Sequence, residues 1–156
     1  YLYIIMVKKE DWGNAVWLLF HTIGEKIDET FVKKNNTLII ELILLICSNL
    51  PCPDCANHAK ETLKSANLNN IKCKNDLKNF FWTFHNIVNE RLKKPVINSE
   101  YLELYKRTIP FNVVQNFKNN YYNRPYNSKL LIDSFQFQKI KKDIDRKLDY
   151  ILQYGF

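Results

Sequence analysis

Two cysteines, Cys52 and Cys55, stand three residues apart in the segment LPCPDCANHAK. Pro53 lies between them, where a helix can begin because the first turn does not need its missing N–H group. The free N–H groups and the dipole of a first helical turn favour a thiolate over a thiol. The spacing also lets the two sulfurs close a small disulfide ring. The pair is therefore suited to thiol–disulfide exchange.

A zinc site is the alternative use of these cysteines. A closed structural zinc site needs four ligands, and His58 and Cys73 could complete the set. The sequence contains neither a second CxxC motif nor an HxxxH motif, which favours redox chemistry over zinc, so we expect no metal. A thioredoxin-like fold is disfavoured because no alternation of strands and helices surrounds the motif.

Two further segments carry aromatic rings, imidazoles and amides within a few helical turns. WGNAVWLLFH holds Trp12, Trp17 and His21, and FHNIVNERLKKP begins with Phe84 and His85. Either set also fits an ordinary helix core or polar face. A flavin nucleotide would use the same groups, since its rings stack, its polar edges need hydrogen bonds and its diphosphate attracts cations. The lack of a GxGxxG motif excludes a Rossmann mode of binding.

The helices that must position these groups are predicted from apolar residues at three- and four-residue spacing. Asp11 and Thr37 are candidate caps, Pro51 and Pro95 are stops, and KKNN and NLNN separate helices. Short connections between four helices predict an all-α fold, an antiparallel four-helix bundle. The predicted helices run from Asp11 to Asp28, Thr37 to Ser48, the CxxC motif to Ala66, and Asn75 to Lys93.

The part of the chain after Pro95 is less regular. NSEYLELYKR predicts a short fifth helix, whereas PFNVVQNFKNNYYNRPYN is loop-prone and only partly able to form a helix. The last segment predicts an amphipathic helix with basic residues among its apolar ones. We expect it to dock on the bundle, with dimerisation or contact with a membrane surface as alternatives. Its apolar residues are Leu131, Phe135, Ile140, Ile144, Leu148 and Ile151.

Composition limits the class of protein. The chain has 156 residues, of which 46% are hydrophobic and 14% aromatic, as in a globular domain with a core. Its formal net charge is +7, but the basic residues are spread along the chain. A solvated basic surface is therefore favoured over nucleic-acid binding, and a basic cleft for an anionic cofactor is a third interpretation that needs no further assumption. No apolar segment has the length of a membrane span, and we expect no signal peptide.

The three motif segments together resemble the ERV/ALR family of FAD-linked sulfhydryl oxidases, most of all its viral branch. The family patterns W-G-x-x-x-W-x-x-x-H, P-C-x-x-C and H-N-x-V-N-x-x-L-x-K-P match WGNAVWLLFH, PCPDC and HNIVNERLKKP in order and spacing. The likeness covers roughly Asp11 to Tyr105. It implies a bundle of four helices with a short fifth, often dimeric through the first two helices. We expect an N-terminal extension (1–10), an FAD-binding oxidase domain (11–108) and a partly helical C-terminal extension (109–156).

The resemblance implies a mechanism and a set of site residues. Cys52 would be the exposed sulfur that a substrate thiolate attacks. Cys55 would be the flavin-side sulfur, whose thiolate attacks the isoalloxazine and delivers two electrons that reduced FAD passes to O2, yielding H2O2. The flavin would be lined from helix one, its adenine side held from helix four and its phosphates met by a lysine, with a tyrosine of helix five nearby. By position these residues are Gly13, Trp17 and His21; His85, Asn86, Val88 and Asn89; Lys94; and Tyr101 or Tyr105.

The sequence departs from the family at its other cysteines. A structural disulfide of many members is absent, because its positions fall at Trp82 and near Ser99. A shuttle pair is also absent, so a protein thiol or a separate thiol carrier must reach Cys52 directly. Cys47 is predicted to be a buried inert thiol and Cys73 a free loop cysteine, with a Cys47–Cys73 bridge or an auxiliary redox role as the alternatives. We further expect a homodimer without nucleic acid, encoded by a virus and located in host cytoplasm or virion.

Overall fold

The computed structural model describes residues 12–124 and 131–156, with side chains for all of these except 131–134. Within these ranges all regular elements are helices, which confirms the all-α prediction. The predicted N-terminal extension, residues 1–10, lies outside the described residues. No helix in the described part has the length and apolarity to cross a bilayer.

The described residues form six α-helices and two 3₁₀ helices. The predicted fifth helix is one of the 3₁₀ helices, with i→i+3 bonding. The α-helices are α1 (Trp12–Lys26), α2 (Glu29–Ser48), α3 (Pro53–Ser65), α4 (Lys74–Arg91), α5 (Pro110–Tyr121) and α6 (Leu131–Tyr154), and the 3₁₀ helices are Leu68–Asn70 and Ser99–Arg107.

The start of α2 differs from the prediction of a cap at Thr37, which was wrong. The helix begins at Glu29, and the side chain of Asp28 accepts a hydrogen bond from the Phe31 N–H at 2.9 Å. The predicted KKNN break is a kink inside the helix, where Asn35 has non-helical angles (φ −126°, ψ 24°). The two additional turns form because Phe31 is buried in the same core as the rest of the helix.

The bundle encloses one apolar core. Helix α1 packs against α4, α5 and the Ser99–Arg107 helix, and α2 packs against α3, α4 and α6. The close approach of α1 to α4 depends on Gly24, where a Cβ atom would lie 3.3 Å from Cδ2 of Phe81. The Phe81 ring in turn stacks on Phe20 of α1, with centroids 4.8 Å apart. These contacts fix the distance between the two helices that carry the aromatic motifs.

Helices α5 and α6 cover the bundle from outside. Helix α5 buries Val113, Val114 and Phe117, and α6 buries its own apolar stripe, Ile144, Leu148 and Ile151. Burying one such side chain contributes roughly 1.5–3 kcal/mol. An ion pair of 3.0 Å between Lys147 of α6 and Glu41 of α2 borders this contact. The prediction that the terminal helix docks on the bundle is thus confirmed, although Phe135 is 68% exposed.

Candidate active site

The two cysteines of the CxxC motif lie at the start of α3, with Pro53 as its first residue. Cys52 is the N-cap residue, and its sulfur accepts a hydrogen bond from the Cys55 N–H at 3.2 Å. The two residues form a disulfide with their Cα atoms 5.2 Å apart. This geometry confirms that the pair can close a ring across the first helical turn, where the helix dipole stabilises a thiolate after reduction.

A cavity of about 410 Å³ lies between α1, α2, α3 and α4. Its volume is in the range of small-molecule and cofactor sites. It is lined from all four bundle helices and from the turn that follows α4. Seven of the twelve predicted site residues line it: Gly13, Trp17, Cys55, His85, Val88, Asn89 and Lys94.

Stacked rings form one wall of this cavity. The Trp17 indole and the His85 imidazole are parallel within 5°, with centroids 4.0 Å apart. Behind them, Nε2 of His21 lies 2.8 Å from Nδ1 of His85, so one ring donates a hydrogen bond to the other. The Tyr105 ring stacks on His21 at a centroid distance of 4.8 Å. His21 and Tyr105 thus support the wall without lining the cavity.

Both imidazoles of this wall are neutral at pH 7. Burial, with a further contribution from nearby His85, lowers the pKa of His21 to about 3. Burial, with a further contribution from the Lys94 charge, lowers the pKa of His85 to about 4. A neutral pair can share one proton in its hydrogen bond without charge repulsion. The wall is therefore uncharged and can accept a flat ring beside it.

The asparagines of the second motif shape the turn that carries Lys94. The Asn86 amide exchanges two hydrogen bonds with the backbone of Ile97, at 2.8 and 3.1 Å, and so faces away from the cavity. Asn89 donates to the carbonyl of Pro95 at 3.2 Å. The indole of Trp82 donates to the same Ile97 carbonyl at 2.8 Å. Hydrogen bonds thus tie α4 to the segment that begins at Pro95.

The turn itself ends α4 with a reversal typical of helix C-termini. Lys93 has a positive φ of 56°, in the left-handed region that favours glycine. The Lys93 N–H bonds to the Glu90 carbonyl at 3.1 Å, and the Lys94 N–H to the Asn89 carbonyl at 2.8 Å. These two hydrogen bonds reverse the direction of the chain, so that Lys94 lines the cavity.

Five predicted site residues do not line the cavity. Cys52, His21, Asn86 and Tyr105 are adjacent to it or support it as described, and Tyr101 is 62% exposed. Several lining residues had not been predicted for a cofactor site, among them Cys47, His58 and Arg91. The sequence signal for His58 is its position one helical turn after Cys55, which brings both side chains to one face of α3.

The other two cysteines are far apart. Cys47 is buried and lines the cavity, and burial raises the pKa of its thiol to about 12, as expected for an inert thiol. Cys73 caps the start of α4, where the Lys74 N–H bonds to Glu29 at the start of α2. Both are free, so the predicted alternative of a Cys47–Cys73 bridge was wrong. Among the described residues, no group of three His, Cys, Asp or Glu side chains could hold a metal.

Comparison with known proteins adds to this geometry. The model of the Erv1/Alr family matches residues 14–110, well over half of the chain. The chain belongs to the Erv1/Alr family. The Erv1/Alr match ends at the first residue of α5, so that nearly all of α5 and the whole of α6 lie outside it.

Erv1/Alr relatives of this chain occur in plants and in viruses. A protein named FAD-linked sulfhydryl oxidase ERV1 of Oryza sativa subsp. japonica is 34% identical over 56% of this chain and 45% of its own length. The protein of the same name in Arabidopsis thaliana is 32% identical over 60% of this chain and 49% of its own length. The FAD-linked sulfhydryl oxidase of African swine fever virus is 34% identical over 63% of this chain and 82% of its own length. The chain therefore spans about half the length of the plant relatives. No solved structure matches it.

Proposed function

We propose that the chain is an FAD-dependent thiol oxidase that forms disulfides in protein substrates through Cys52 and Cys55. The observation that carries this proposal is the position of the pair. Cys55 lines the cavity that is walled by Trp17 and His85, whereas its disulfide partner Cys52 is outside the lining. One sulfur can therefore face a bound cofactor while the other meets a substrate. This is the arrangement that a relay of electrons from thiols to a flavin requires.

The cavity residues fit FAD. Trp17 and His85 offer a flat aromatic wall for a ring, and neutral imidazoles impose no charge on it. Arg91 and Lys94 line the same cavity and could hold a diphosphate by charge-assisted hydrogen bonds. FAD, when bound, would accept an electron pair from the reduced cysteines and pass it to O2, which yields H2O2. We assign no cofactor contact to Asn86 or Tyr101, and a supporting role to His21 and Tyr105.

The chemistry of the cysteines follows from thiol–disulfide exchange. A substrate thiolate attacks the sulfur of Cys52, the Cys52–Cys55 bond breaks, and Cys55 leaves as a thiolate stabilised by the α3 N-terminus. A second substrate thiol attacks the mixed disulfide and releases Cys52. The substrate has then lost two electrons and two protons, and the cysteine pair has gained the electrons. The Cys55 sulfur, inside the cavity, is the one positioned to pass them on.

The partners are proposed on the same basis. The substrate is a protein dithiol or a separate thiol carrier, and O2 is the terminal acceptor. The relatives in viruses support a virus-encoded protein acting in host cytoplasm or in the virion. A homodimer through α1 and α2 stays a prediction. It would have to use the surface of these helices that α5 and α6 leave uncovered.

A spectrum and an oxygen electrode test the proposal. Purified protein is expected to be yellow, with flavin near one per chain, and to consume O2 with dithiothreitol. Cys52→Ser and Cys55→Ser should each lower this rate on the order of 10³-fold or more, because the pair acts as a unit. Cys73→Ser is the matched control and should keep the full rate. Colourless protein containing zinc would contradict the proposal and favour a zinc-stabilised helical module that binds nucleic acid.

A further inference from the structure

The connection between α2 and α3, which we call the elbow (residues 48–52), carries the CxxC motif. Helix α3 packs mainly on α2, so its position depends on how the elbow is held. The last four carbonyl groups of a helix lack partners within it. At the end of α2, the Asn49 N–H bonds back to the Ile46 carbonyl at 3.3 Å, and the Asn49 amide bonds to the Leu45 carbonyl at 2.7 Å. The Asn49 carbonyl points away from the helix and needs a partner elsewhere.

That partner comes from α5, more than seventy residues further along the chain. The hydroxyl of Tyr121 lies 2.7 Å from the Ile46 carbonyl oxygen and 2.9 Å from the Asn49 carbonyl oxygen. Its single proton is therefore shared between the last turn of α2 and the elbow. Tyr121 is fully buried, and burial raises the pKa of its phenol, so the hydroxyl remains a donor at every physiological pH. A buried hydrogen bond of this kind holds its partners firmly because the alternative is an unsatisfied carbonyl.

Arg124 reinforces the same point. Its guanidinium also donates to the Asn49 carbonyl, a charge-assisted bond. The guanidinium carbon lies 4.1 Å from the centroid of the Phe137 ring of α6 and 5.0 Å from that of Tyr121. Cation–π contacts of this type keep an arginine in one orientation. Tyr121, Arg124 and Phe137 thus form a connected group, which we call the elbow clamp, and both extension helices contribute to it.

We infer that the elbow clamp positions Cys55 against the cavity, and that Tyr121 and Arg124 are positioning residues for electron transfer from the cysteine pair. This inference rests on the proposed function and gives the C-terminal extension a task in the reaction. All three residues lie beyond residue 110, where the Erv1/Alr match ends. Electron transfer through a thiolate depends steeply on placement, since a misplacement of about 1 Å can lower a rate 10²-fold.

The test compares two neighbouring tyrosines. Tyr121→Phe removes the hydroxyl that meets the elbow. Tyr122→Phe is the matched control, because the Tyr122 hydroxyl bonds instead to Asp145 of α6 at 2.9 Å. With FAD and O2 present, Tyr121→Phe should lower kcat for dithiothreitol about tenfold, the factor that one buried hydrogen bond is worth, and leave KM unchanged. Tyr122→Phe should change neither. Arg124→Gln should lower kcat by a smaller factor, because Tyr121 still holds the elbow.

A second readout does not depend on flavin. Hydrogen exchange of the peptide that covers residues 48–55 should be about tenfold faster in Tyr121→Phe than in the wild-type chain, and unchanged in Tyr122→Phe. Faster exchange with an unchanged kcat would overturn the inference, since the clamp would then be structural only. Equal effects of the two tyrosine variants on kcat would also overturn it. A wild-type chain that binds no flavin would refute the proposed function, whereas the exchange comparison would still decide whether the clamp holds the elbow.

Discussion

Two cysteines of this chain occupy the same kind of position at opposite ends of the bundle. Cys52 is the N-cap of α3 at the cavity end, and Cys73 is the N-cap of α4 at what we call the far end. Helix α2 joins the two ends and spans 20 residues, or about 30 Å. Both thiols therefore meet the positive end of a helix dipole.

The residue three positions later makes the difference. Three residues after Cys52 is Cys55, which forms a disulfide with Cys52 and lines the cavity. After Cys73 it is Asp76, whose carboxylate accepts hydrogen bonds from the N–H groups of Lys72 and Cys73 at 3.0 and 3.2 Å. This carboxylate occupies the N–H groups of Lys72 and Cys73, and Cys73 does not line the cavity. The start of α3 thus combines a second sulfur with a cavity, whereas the start of α4 has a carboxylate in place of the sulfur and lies outside that cavity.

The largest expected effect comes from giving the far end a second sulfur. In a Cys55→Ser background, Asp76→Cys recreates the CxxC spacing at α4, and alkylation with mass analysis should detect a disulfide there. Oxygen uptake with dithiothreitol should nevertheless stay at the background of the Cys55→Ser chain, because this pair lies about 12–16 Å along α4 before Phe84, the first residue of that helix to line the cavity. Uptake restored to a substantial part of the wild-type rate would show that spacing alone is sufficient.

The next effect separates the two ends by pH. The pKa values of His21 and His85 are lowered to about 3 and about 4 in the folded chain. Both imidazoles therefore stay neutral down to about pH 5 in the folded chain, whereas in the unfolded chain they take up protons below pH 6.5. Stability should therefore be full above pH 6.5 and fall with pH, by about 3–4 kcal/mol between pH 7 and pH 5 for the pair. The far end should respond only at lower pH, because the pKa of Asp76 lies below its ordinary value, chiefly through its hydrogen bond with the Cys73 side chain.

Urea unfolding at pH 7, 6 and 5 measures this loss at saturating FAD. His21→Gln should remove about half of the pH dependence, whereas Tyr122→Phe should leave it intact, because burial raises the pKa of the Tyr122 phenol far above this pH range. An equal stability at pH 7 and pH 5 in the wild-type chain would mean that the histidine pair accepts a proton in the folded state.

The smallest effect compares the two helix caps. Asp76→Ala should lower the Tm by about 2–4 °C, because it leaves two backbone N–H groups at the far end without their acceptor. Asp76→Asn retains an oxygen acceptor and should keep most of the stability. Asp54→Ala, in the first turn of α3, should have a smaller effect than Asp76→Ala, since the sulfur of Cys52 already accepts there. Circular dichroism during heating measures all three, and equal losses at both ends would refute the distinction.

The sequence was sufficient to predict α1, α3, α4 and α6, because their apolar stripes and stop signals are local. The CxxC ring and α4 follow from spacing and proline positions, whereas docking on the bundle was the favoured one of three alternatives for α6. The sequence did not predict the early start of α2. The polar KKNN segment follows soon after the Asp28 cap, and the burial of Phe31 depends on distant contacts. Helix α5 was concealed by its asparagines, although its buried residues keep helical spacing.

The cavity was predicted only in part, for a similar reason. Motif spacing indicates which residues share a helix face, but the packing of the neighbouring helix determines which of these residues line the cavity. His21 shares a face with Trp17, and yet His85 of α4 lies between His21 and the cavity. Asn86 was expected beside a cofactor, and its amide instead meets a backbone segment eleven residues away.

The missing side chain at Gly24 has a consequence for the histidine pair. Gly24 lies one turn after His21 on α1, and Phe81, which it touches, lies one turn before His85 on α4. The distance between the two imidazoles therefore depends on the contact between Gly24 and Phe81, in which neither histidine takes part. A methyl group at Gly24 would require the Phe81 ring to move by a few tenths of an ångström, and any part of that shift that reached the α4 backbone would change the length of the hydrogen bond between the two imidazoles.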